Sequence, residues 1–99
     1  MKPNFYASVC HYGVHGGAVK LTDDYFMFGT QKIIIKAEFR RLKIAYNSIK
    51  NIEYWYALFF PIVKISLLDG RKYNFIIFNI KRFQRLIEEK MALNNKREL

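Results

Sequence analysis

The spacing of apolar positions changes period near residue 79. From Gly17 to Phe78 short alternating runs are separated by turn residues, and beyond that the apolar positions recur every three or four residues. Ala18 to Leu21 reads as a strand, Thr22-Asp23-Asp24 as a turn and Tyr25 to Phe28 as the returning strand. Lys32 to Lys36 is a β-branched run between polar flanks. In Leu42-Lys43-Ile44-Ala45-Tyr46, residues Leu42, Ile44 and Tyr46 share one face. Asn47-Ser48 marks a turn into a strand over Ile52 to Leu58. In Ile62 to Leu68, Val63, Ile65 and Leu67 alternate with Lys64 and Ser66. Asp69-Gly70 then supplies a two-residue turn tolerant of the positive φ angles of a type I′ hairpin. Arg71 to Phe78 returns, with Tyr73, Phe75 and Ile77 opposite Lys72 and Asn74. Residues 1–16, which contain Pro3, Gly13 and Gly16, read as a loose arm or an irregular first strand.

Asn79 is a candidate N-cap for an amphipathic helix. Ile80, Phe83, Ile87 and Met91, with Leu86 beside them, form its apolar face, and Lys81, Arg82, Arg85, Glu88 and Glu89 its polar face. The pattern predicts a helix to about Leu93 and a frayed tail over 94–99. A sheet of seven short strands must curl to bury one face and leaves an open end. The expected fold is therefore mainly β with one α-helix. It is a seven-stranded, antiparallel, partly open barrel over 17–93, capped by the C-terminal amphipathic helix.

Ninety-nine residues suffice for one small domain. Seventeen Lys and Arg against eight Asp and Glu give a net charge of +9, which favours anionic partners: nucleic acid, acidic lipid or an acidic protein. The single Cys10 excludes an internal disulfide and fits a reducing compartment. The longest apolar run, Tyr54 to Val63, is interrupted by Pro61 and is about half the ~20 residues a membrane-spanning helix needs. With no secretory leader in view, the expected location is cytoplasmic, with peripheral attachment at the inner membrane surface as the variant that the charge allows.

Three segments carry a family resemblance. The first is the early hairpin Gly17-Ala18-Val19-Lys20-Leu21-Thr22-Asp23-Asp24-Tyr25-Phe26-Met27-Phe28, and the second is Ile44-Ala45-Tyr46-Asn47-Ser48-Ile49-Lys50-Asn51-Ile52. The third is Ile65-Ser66-Leu67-Leu68-Asp69-Gly70-Arg71-Lys72-Tyr73-Asn74-Phe75, ahead of the terminal helix. In this order they resemble the GRAM and bacterial pleckstrin-homology-like family. The resemblance implies a partly open β-barrel closed by a helix, acting as a binding module and not as an enzyme. Many relatives bind phosphoinositides or other membrane lipids, and others bind proteins or only oligomerise. The chain departs from the pattern in two places: Ala45 stands where the family has proline, and the first turn is short and acidic, with Lys20 the only base beside it.

Two groups of residues could carry binding. Lys32, Lys36, Arg40, Arg41 and Lys43 flank the third and fourth predicted strands and form a candidate basic patch for an anionic surface. In Trp55-Tyr56-Ala57-Leu58-Phe59-Phe60-Pro61, alternation can hide only half of the large side chains. Trp55, Phe59 and Phe60 are thus candidate interface or membrane-insertion aromatics. Cys10, His11 and His15 offer too few ligands for a zinc site and no oriented nucleophile, so no metal, cofactor or catalytic residue is expected. The reading from sequence is a non-enzymatic module that recognises a protein partner, a second copy of itself or an anionic membrane surface. Its alternative is single-stranded nucleic-acid binding by a basic, aromatic-rich barrel.

Overall fold

A computed structural model describes residues 4–10, 14–30 and 41–98. Seven strands precede one helix: β1 (Asn4–Cys10), β2 (Val14–Leu21), β3 (Tyr25–Gly29), β4 (Arg41–Ala45), β5 (Ile49–Ala57), β6 (Phe60–Leu67), β7 (Lys72–Ile77) and α1 (Ile80–Glu98). They form one sheet in the order β4-β3-β2-β1-β7-β6-β5, with antiparallel pairing throughout. The two edge strands, β4 and β5, are joined by a single 3-10 turn, Tyr46–Ser48. A link this short reaches no more than about 14 Å, so the edges must approach and the sheet curls into a half-barrel.

Alternation sets the inner face. Phe5, Ala7 and Val9 of β1, Val19 and Leu21 of β2, Phe26 and Phe28 of β3, and Phe75 and Ile77 of β7 are buried in one cluster. Helix α1 closes the open end by adding Ile80, Phe83 and Ile87 to that cluster. The Phe83 ring meets Phe5 edge-on at 5.4 Å and Phe26 at 6.1 Å between centroids, the geometry that aromatic quadrupoles favour. The expected mainly-β fold with a terminal helix is therefore present.

Three expectations need correction. Of the two readings of the N-terminal segment, loose arm or irregular first strand, a strand forms and it is regular: Asn4–Cys10 lies between β2 and β7, near the middle of the sheet. Its alternating Phe5, Ala7 and Val9 outweigh the flanking Pro3 and Gly13 as a signal. The helix does not fray at Leu93 but continues to Glu98. Asn94 is buried and its amide donates to Asp24 Oδ1 at 3.3 Å, which pins that turn of helix to the sheet. The Asp69-Gly70 hairpin forms, but not as type I′. Gly70 N donates to Leu67 O, Leu67 N to Arg71 O, and of the turn residues only Gly70 has positive φ. That combination is a three-residue loop with a glycine bulge. The strand read into Lys32–Lys36 lies outside the described residues.

Candidate binding face

The outer face of β2, β3 and β4 is built by the positions that alternate away from the core. Register places Ala18 opposite Gly29 and Gly29 opposite Arg41, and in the next row Lys20 opposite Met27 and Met27 opposite Lys43. Small side chains in the first row leave a depression of about 520 Å³, lined by Ala18, Lys20, Met27, Gly29, Arg41 and Lys43. Lys43 Nζ stands 4.1 Å from the centroid of the Tyr25 ring, a cation–π contact that holds its charge over the sheet. No Asp or Glu occupies an outward position of these three strands.

The acidic first turn joins β2 to β3 and faces the helix. Lys90 Nζ lies 2.8 Å from Asp23 Oδ1, and Asn94 donates to Asp24, so both carboxylates are engaged by α1. Thr22 Oγ1 accepts from Tyr25 N at 2.9 Å and shapes the turn. Of the predicted basic patch, Arg41 and Lys43 line the basin, joined by Lys20, while Lys32, Lys36 and Arg40 lie outside the described residues.

The other half of the outer face is apolar only at the β5–β6 hairpin end; the row beside it, Glu53-Lys64-Asn74-Cys10, is polar and charged. Trp55 is opposite Ile62, Ile62 opposite Ile76 and Ile76 opposite Ser8, one line across β5, β6, β7 and β1. Ile62 and Ile76 are each only 8% exposed, yet neither belongs to the inner core. Their side chains sit on the outer side of the sheet, near its β5–β6 hairpin end. Phe78, whose amide donates to Tyr6 O at 3.3 Å, and Tyr6 itself extend this surface, both exposed. Tyr6 is opposite Ala18, so one strand-to-strand line, Tyr6-Ala18-Gly29-Arg41, runs from the exposed Tyr6 and Phe78 into the basic basin.

At the end of this face the β5–β6 hairpin projects past the sheet. The last β6–β7 pair is Ile62 with Ile76, whereas β5 and β6 continue to pair through Tyr56 with Pro61 and Ala57 with Phe60. The tip is Leu58-Phe59, with side chains 87% and 93% exposed. Leu58 has φ of 58°, a left-handed backbone that bulky side chains disfavour. Trp55, Phe59 and Phe60, singled out from sequence, are all exposed here. Leu58, Tyr6 and Phe78 are exposed as well, and the half-buried Lys20 and Met27 line the basin; the unbroken apolar run Phe75 to Phe78 was the available sign that the end of β7 carries apolar side chains on both faces.

Cys10 ends β1, half-buried, and burial pushes its thiol pKa up, away from the reactive thiolate. Among the described residues no three His, Cys, Asp or Glu side chains converge on a metal-sized site, and no helix is long and apolar enough to cross a membrane.

No family model and no characterised protein matches this sequence. The fold is similar to the crystal structure of the C-terminal domain of an unknown protein from Leishmania infantum. The TM-score is 0.76 at 11% identity, covering 91% of this chain and 82% of that one. This likeness concerns the fold alone.

Proposed function

We propose that the chain is a non-enzymatic binding module of the GRAM and pleckstrin-homology-like type, and that it docks on an anionic membrane surface through the outer face of its sheet. The observation that carries this reading is the line Tyr6-Ala18-Gly29-Arg41, which joins an exposed apolar surface to a basin edged by Lys20, Arg41 and Lys43. Each base near an anionic bilayer contributes about 1 kcal/mol, so three suffice for weak, salt-sensitive recruitment, reinforced by the overall charge of +9. The ion pair of Lys90 with Asp23 supports the reading, because it offsets one of the two carboxylates of the neighbouring turn.

Co-sedimentation with neutral and anionic vesicles at low and physiological salt tests it. Binding to anionic vesicles alone, fading with salt and lost in a Lys20→Glu, Arg41→Glu, Lys43→Glu triple variant, is the expected result. Absence of binding at low salt, or binding indifferent to the charge reversals, overturns it.

A further inference from the structure

We infer that the tip of the β5–β6 hairpin, Leu58-Phe59 with Phe60 and Trp55 behind it, inserts into the apolar interface of an anionic bilayer. The inference rests on the membrane-docking reading and adds to it a depth of contact and the element that makes it.

The polarity along the hairpin is graded. Leu58 and Phe59 form the outermost turn, Tyr56 and Trp55 follow, and the first charges met on the way back to the sheet are Glu53 and Lys64, 3.9 Å apart across the ladder. From that pair to the tip is about 17 Å of uncharged strand, longer than the ~5–10 Å to which interfacial elements penetrate. Trp and Tyr fall where amphipathic rings prefer the headgroup level, and Leu and Phe where hydrocarbon begins.

The backbone points the same way. A two-residue turn with left-handed φ at its first central position is ordinarily filled by glycine or asparagine. Here that position is Leu58, at φ 58°, so the tip holds a large apolar side chain in a backbone conformation that costs it conformational energy. The tip is convex and presents a knob, and the charge of +9 disfavours a second copy as its occupant and favours an anionic one.

Trp55 is the only tryptophan, so its emission reports the hairpin directly. On titration with anionic vesicles the expected result is a blue shift, protection from acrylamide and quenching by acyl-brominated lipid. Leu58→Gly, which suits the left-handed backbone, and Phe59→Ser should keep the folded spectrum and weaken binding by at least about tenfold. Vesicle binding that is salt-sensitive but leaves Trp55 emission unchanged, with both variants binding like the parent, overturns insertion and leaves the basin reading standing. No vesicle binding by the parent overturns both. A parent dimer that both variants convert to monomer, with Trp55 unmoved by lipid, overturns insertion in favour of contact between copies.

Discussion

The Tyr46 hydroxyl donates a 2.6 Å hydrogen bond to the carbonyl of Thr22. Tyr46 belongs to the turn that links the two edges of the sheet, and its amide also donates to Asp24 O at 3.1 Å. These two bonds fasten the link between β4 and β5 to the β2–β3 turn, which α1 in turn grips through Lys90 and Asn94. One small contact region therefore joins both sheet edges, the acidic turn and the helix.

Two tyrosines should respond oppositely to loss of the hydroxyl. Tyr46→Phe removes the bond to Thr22 and should cost about 1–2 kcal/mol in urea unfolding. The Tyr54 hydroxyl is buried and finds no hydrogen-bond partner among the described residues, so Tyr54→Phe should leave stability unchanged or raise it. Equal losses from the two substitutions would contradict this account.

The same pair governs alkaline behaviour. Burial, aided by Asp23 and Asp24 for Tyr46 and by Glu88 for Tyr54, raises both phenol pKa values above the ordinary value of about 10. The folded state thus holds protons that the unfolded chain has released, and stability from this source is full below pH about 10 and declines as pH rises beyond it. Unfolding midpoints measured at increasing alkaline pH should fall, and should fall less steeply in Tyr54→Phe.

Adjacent glycines in β2 should differ sharply. A β-carbon at Gly17 would lie 2.2 Å from Gly29 O and 2.9 Å from the Phe28 ring, whereas one at Gly16 would meet nothing nearer than Ser8 Oγ at 4.0 Å. Gly17→Ala should cost at least about 1–3 kcal/mol, since backbone and a core ring must both move. Gly16→Ala should be close to neutral by thermal unfolding. A neutral Gly17→Ala would mean that β2 and β3 are less closely apposed than described.

How much was legible from sequence depended on the range of the interaction. The hairpins at Asp23-Asp24 and Asp69-Gly70 and the helical spacing of Ile80, Phe83 and Ile87 are local signals, and each produced its element. The exact turn at Gly70 was not legible, because a type I turn with a glycine bulge and a type I′ turn share the same Asp-Gly pair. The run of the helix to Glu98 was hidden because Asn94 looks polar and solvated until Asp24 is brought beside it. The candidate site divided along the same line. Alternation over a long aromatic run pointed to exposure of Trp55, Phe59 and Phe60, but not to that of Tyr56 and Leu58 on the other face, which follows from the hairpin projecting past the sheet. Lys20 joined Arg41 and Lys43 only through pairing of β2 with β3 and β3 with β4.

By itself the sequence determined two periods of hydrophobicity, and hence a curled antiparallel sheet with one amphipathic helix, because alternation and helical spacing act between near neighbours. It also determined a strong positive charge and an aromatic segment too rich to bury. Only the tertiary structure decided that β1 lies beside β7, which closes residues 7–10 onto residues 74–77. That pairing sets Tyr6, which β2 already places opposite Ala18, next to Phe78, and so aligns the apolar end of the outer face with the basic basin. Register between strands so distant in the chain is chosen by which faces can be buried together, a choice that no local run of residues encodes.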